Sequence, residues 1–99
     1  MTGVQAATAD LRVDASQAEW REVGDEVLIL NVRTGRYLAL NRSASLLWPA
    51  LVEGAHTRAL ARQLREAYGL AEDQAARDVA AFVEALRRLA VLEESPPPR

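Results

Sequence analysis

An α+β domain, with a three-stranded antiparallel sheet followed by three helices, is what this sequence of 99 residues predicts. Two hairpin signals stand in its first half, where apolar runs are interrupted by Gly24-Asp25 and by Arg33-Thr34-Gly35. Past Asn41 the apolar spacing changes from that of a strand to that of a helix, and Gly54 and Gly69 divide the second half into helical segments. Strands first and helices after, in so short a chain, give a winged helix-turn-helix layout.

The elements follow in chain order. Met1 to Gln17 hold small and polar residues without a firm period, so residues 1–17 are expected to be a flexible segment ahead of a domain over residues 18–93. EWREVG is the first strand, with Trp20 and Val23 as its large apolar residues. VLILNV, Val27 to Val32, is apolar and β-branched enough for a central strand. RYLAL, Arg36 to Leu40, is the third. A loop of Arg33, Thr34 and Gly35 sets Leu30 opposite Leu38 and Leu28 opposite Leu40, and this face is expected to be the core side.

Asn41 or Ser43 caps a first helix carrying Leu46, Leu47, Trp48, Ala50 and Leu51, which Gly54 ends. Pro49 predicts a kink or a late start there. Thr57 caps the second helix, which runs through Leu60, Leu64 and Tyr68 to Gly69. The third extends from about Glu72 to Leu89, acidic in its first turn and with Arg87 and Arg88 in its last, as the helix dipole favours. Its apolar residues Val79, Phe82, Val83, Leu86 and Leu89 recur at three and four. SPPPR cannot continue a helix, and residues 94–99 are expected to be a disordered tail.

Composition removes several function classes. The hydrophobic share of 49% supports one core without staples, and the absence of cysteine rules out a disulfide, a zinc ribbon or a thiol nucleophile. It agrees with a reducing compartment, so a cytoplasmic location is expected. No apolar run approaches the ~20 residues of a membrane helix, and the N-terminus is polar, so neither a membrane span nor secretion is expected. Twelve basic residues, all arginine, against fourteen acidic ones give a net charge of −2, without the basic excess of a nucleic-acid binder. The single histidine, His56, has no nucleophile motif beside it, and no phosphate loop or metal-ligand spacing is present. No enzyme activity, cofactor or metal is expected. Arg58, Arg62 and Arg65 share one face of the second helix, either as a solvated face or as a contact for a partner protein or acidic peptide. Trp48 is expected to pack rather than bind. One feature is left without a partner. The third strand, Tyr37 to Leu40, has none of the lysine, proline or bulge that usually blunts a sheet edge.

The run LNVRTGRYLALNRSASLLW, followed by an EG turn, an arginine-rich helix with LREAYGL and a long helix ending LRRLAVLE, resembles the PqqD-like family of RiPP recognition elements. The resemblance covers roughly Trp20 to Glu93 and is most like the free-standing members of lasso-peptide clusters. Pro49 departs from the family's pattern. What the resemblance implies is peptide binding without catalysis: the leader segment of a ribosomally made precursor lies antiparallel to the third strand and fills the groove beside the third helix. It implies a site at Arg36, Tyr37, Leu38, Ala39 and Leu40 on the strand, and at Val79, Phe82, Val83, Leu86 and Arg87 on the helix. Val83 and Leu86 are expected to line the leader site, with Phe82 the more buried. The implied partners are a leader peptidase and a cyclase, or alternatively a radical SAM enzyme in quinone-cofactor synthesis. A winged-helix DNA-binding regulator is a rival on element order, yet Glu72, Asp73 and Asp78 on its recognition helix repel phosphate, so no nucleic-acid partner is expected. An adaptor that docks through the arginine face is a third reading. A monomer is expected, with an edge-paired dimer as the alternative.

Overall fold

A computed structural model of the chain describes residues 10–94. The elements are β1 (Leu11–Val13), β2 (Ala18–Val23), β3 (Glu26–Asn31), β4 (Tyr37–Leu40), α1 (Arg42–Glu53), α2 (Thr57–Tyr68), α3 (Glu72–Leu89) and β5 (Leu92–Glu94). The three expected strands are β2, β3 and β4, joined in that order into an antiparallel sheet, and the three expected helices follow. Among the described residues no helix is long and apolar enough to cross a membrane.

Two short strands lie outside the expected set. β1 and β5 pair antiparallel, Leu11 with Glu94 and Val13 with Leu92. Of the segment expected to be flexible, residues 1–9 lie outside the described part, whereas Leu11 and Val13 are core residues at 4% exposure each. Three residues are too few to show a period, and their pairing partner lies at the other end of the chain. Of the tail expected from residue 94, Glu94 belongs to β5, and residues 95–99 lie outside the described part.

The register of the main hairpin differs from expectation by one residue. Leu38 faces Ile29 and Leu40 faces Val27, so Val27 and Ile29 point into the core while Leu28 and Leu30 turn outward. The cause is Asn31, which is 1% exposed. Its Nδ2 donates to the carbonyls of Leu89 at 2.8 Å and Ala90 at 3.2 Å, and its Oδ1 accepts from the N–H groups of Arg33 at 2.9 Å and Thr34 at 3.2 Å. Asn31 thus satisfies orphan carbonyls at the end of α3 and shapes the loop beneath them. It can do both only from the inner face, which brings Ile29 and Val27 inward with it. The loop becomes Val32 to Gly35, closed by Asn31 N–H donating to Arg36 O at 2.8 Å and Gly35 N–H to Asn31 O at 2.9 Å. Gly35 has φ 76, the left-handed region that a loop of this kind requires.

The helices start and stop where their local signals lie. Asn41 caps α1 by accepting from Ala44 N–H at 3.0 Å, and Gly54 closes it. Arg42, at the first turn, pairs with Asp25 at 2.7 Å, ties the β2–β3 turn to the helix and holds the Asp25 carboxyl below its usual range. The kink or late start expected from Pro49 does not displace the helix, which begins at Arg42 and contains the proline. Proline in a helix interior costs about 3 kcal/mol, but Pro49 is exposed while Leu47, Trp48 and Leu51 are each at most 2% exposed. Burying those three side chains outweighs the lost amide bond. α2 starts at Thr57, but the residue before it, His56, holds the cap position without a side-chain hydrogen bond. α3 spans Glu72 to Leu89 as the sequence predicts.

Trp48 packs, as its surroundings suggest. It sits at the centre of the core with its ring 5.3 Å from that of Trp20, edge to face. Ser45, also buried, stitches α1 to the sheet: its hydroxyl accepts from Val27 N–H at 2.9 Å and donates to Leu40 O at 3.2 Å.

Candidate functional site

β4 ends the main sheet, and no strand of the described residues covers its outer side. Antiparallel ladders alternate, so each residue's N–H and C=O point together toward one neighbour. The Asn31 to Arg36 bond and the Ser45 bridge at Val27 and Leu40 fix the phase: Leu38 and Leu40 bond inward to β3. Tyr37 and Ala39 therefore present their N–H and C=O groups to the open side.

A groove of about 370 Å³ runs along this edge. Leu38, Ala39 and Leu40 form its sheet side, Ser43, Ala44 and Leu47 come from α1, and Leu64 from α2 lies at its base. Asp78, Ala81, Phe82 and Ala85 of α3 make the far wall. An extended segment laid on β4 has backbone donors and acceptors on one side and apolar cavities for alternate side chains below.

The structure brings together only part of the expected site. Leu38, Ala39, Leu40 and Phe82 line the groove. Tyr37 lies on the same edge, but its side chain is 71% exposed and lies with Leu28 and Leu30 against a second cleft on the outer sheet side. Arg36 stands at the strand's start with its carbonyl already taken by Asn31. Val79, Val83 and Arg87 line a different groove, between α2 and α3, together with Arg58 and Ala61. Leu86 is fully buried and lines neither. Phe82, at 6%, is more exposed than Val83 at 3% and Leu86 at 0%, the reverse of the expected order. The reason is helical phase: α2 packs on the Val79, Val83 and Leu86 stripe, and the adjacent stripe of residues 78, 81, 82 and 85 faces β4. Two of those four are alanines, invisible to a search for large apolar residues, and their small side chains leave the space. Their four-residue spacing, with Asp78 a turn earlier, was the signal available.

Arg87 has a partner within the chain. It makes two hydrogen bonds to the Glu94 carboxylate at 2.8 and 2.9 Å, and this guanidinium holds Glu94 below the usual carboxyl range.

The chain matches the family described as coenzyme PQQ synthesis protein D (PqqD) over residues 26–92. It belongs to the PqqD family. Two solved structures resemble this PqqD-family chain closely in fold. One is TbiB1 in complex with the TbiA(beta) leader peptide, 24% identical with a TM-score of 0.77, covering 87% of this chain and 99% of the other. The second is a lasso peptide synthetase B1 complexed with the leader peptide, 26% identical with a TM-score of 0.74, covering 86% and 99%. A comparison with curated proteins returns no match.

The helix placements separate packing from lining by mutation. Leu86→Ala is expected to cost ~2–5 kcal/mol of stability and Val83→Ala less, each leaving peptide affinity as it was. Phe82→Ala is expected to lose affinity as well as stability. Denaturant melts beside calorimetry check this, and an affinity loss in Val83→Ala with none in Phe82→Ala would reverse the assignment of the two stripes.

Proposed function

We propose that this chain binds the leader segment of a ribosomally made precursor peptide, without catalysing a reaction on it, by strand addition to β4. The peptide runs antiparallel to β4, takes the Tyr37 and Ala39 backbone groups as its partners, and sets alternate side chains into the groove against Phe82. The observation that carries this reading is the unguarded β4 edge lying directly beside a walled apolar groove. The B1 protein at 26% identity, complexed with a leader peptide and matched in fold over 99% of its length, supports it. Cargo then passes to a leader peptidase and a cyclase in the cytoplasm, and the binding unit is a monomer whose edge the peptide occupies. Delivery to a radical SAM enzyme is the second reading, favoured by the family's description as a cofactor-synthesis protein; co-purification with each enzyme separates the two.

Amide hydrogen exchange tests the core of the proposal. Tyr37 and Ala39 N–H groups are expected to exchange rapidly in the free chain and to become protected when a synthetic leader peptide is added. Protection confined to other strands overturns strand addition at β4.

The arginine face of α2 is expected to be dispensable for this binding. Arg58, Arg62 and Arg65 are exposed, and none forms an ion pair among the described residues. Changing all three to Gln is expected to leave leader affinity and downstream processing unchanged, since screened surface charges contribute little. Processing lost with leader binding intact would assign the face to enzyme docking.

A further inference from the structure

Within the groove of otherwise neutral walls, Asp78 is the one titratable side chain. It is half-buried, and it has no ion pair among the described residues. Its position is held from its own helix. Gln74 Nε2 donates to Asp78 Oδ1 at 2.8 Å, and the orientation of that amide is set in turn by Arg77 Nη2 donating to Gln74 Oε1 at 3.1 Å. Arg77 itself pairs with Asp73 at 3.6 Å, and neither Arg77 nor Gln74 lines the groove. The result is a carboxylate fixed one turn before Phe82, on the wall that an occupying peptide covers.

Covering a carboxylate with apolar peptide removes its water, which is costly unless a cation takes the water's place. An ammonium or guanidinium aimed at Asp78 restores the lost interactions as short charge-assisted hydrogen bonds, a neutral side chain restores part of them, and an acidic one adds repulsion. We infer that Asp78 is a specificity-determining residue that selects a Lys or Arg side chain at one groove-facing position of the bound peptide. This rests on the strand-addition reading above and goes beyond it by naming the chemistry that is read.

The test is selection of random linear peptides displayed in vitro on the full chain, on Asp78→Asn and on Asp78→Lys, with Ala39→Pro as a control for the edge. Melting curves confirm that each variant is folded, which the partial exposure of Asp78 favours. Peptides selected on the parent chain are expected to share alternating apolar positions with Lys or Arg at one of them. Asp78→Asn is expected to bind such a peptide about tenfold less tightly and to bind its Lys→Gln counterpart as well as the parent does. Asp78→Lys is expected to enrich Asp or Glu at the same position. A parent pool with no basic position, or a basic preference that survives Asp78→Asn, overturns the inference while leaving strand addition standing, provided Ala39→Pro abolishes binding. Peptides that bind Ala39→Pro undiminished overturn the edge reading, and the role of Asp78 with it.

Discussion

Replacing Ala39 with proline is expected to leave the fold intact, with a melting temperature within about 3 °C of the parent, and to weaken leader binding about thirtyfold or more. The asymmetry comes from ladder phase. The Ala39 N–H points away from β3, so proline removes no bond that the folded chain makes, and an outer edge is where strands tolerate it. Its effect on Leu38 is also mild, because the residue before proline is pressed toward the extended conformation that Leu38 already has in β4. In the complex the same change orphans a peptide carbonyl and sets a ring where the added strand must approach. Calorimetry with a synthetic leader beside thermal melting measures both quantities. Parent affinity in a folded Ala39→Pro chain would falsify binding at this edge.

Asn31→Leu is the substitution expected to damage the fold most for the least change in size, by about 3 kcal/mol, or ~15 °C in melting temperature. The side chain holds four backbone groups from two distant places, the carbonyls of Leu89 and Ala90 and the N–H groups of Arg33 and Thr34. Leucine fills the space and satisfies none of them, so buried carbonyls at the end of α3 lose their partner. Function should suffer beyond the stability loss, because Asn31 clamps the β3–β4 loop to α3 and so sets the distance between the two sides of the groove. Denaturant unfolding checks the first claim: a loss below about 0.5 kcal/mol would show that water replaces the amide and that Asn31 does not set the register.

For the candidate site, the sequence pointed to the β4 edge, whereas the α3 residues lining the groove beside it are only in part those expected. Tyr37 to Leu40 was legible because edge guards are a matter of residue type, and their absence can be read without coordinates. On α3 the difference arises because large apolar residues mark the buried stripe of a helix, and here Val79, Val83 and Leu86 are buried and do not line the groove beside β4. A groove is space, and space is left by small residues such as Ala81 and Ala85, which carry no strong local signal.

What the sequence by itself determined are the elements whose causes lie within a few residues. The bounds of α3 follow from its acidic first turn, its three-and-four apolar spacing and its basic last turn; the start and stop of α1 follow from Asn41 and Gly54; the tight turns follow from Gly24 and Gly35. Tertiary structure alone decided the β1–β5 pairing, the one-residue register of β3 on β4, the continuity of α1 through Pro49 and the stripe of α3 that faces the groove. Each of these is the outcome of contacts between residues far apart in the chain: Leu11 with Glu94, Asn31 with Leu89, Trp48 with Trp20. A propensity of a few tenths of a kcal/mol per residue yields to a buried side chain or a buried hydrogen bond of ~1–3 kcal/mol, and only the folded chain brings those partners together.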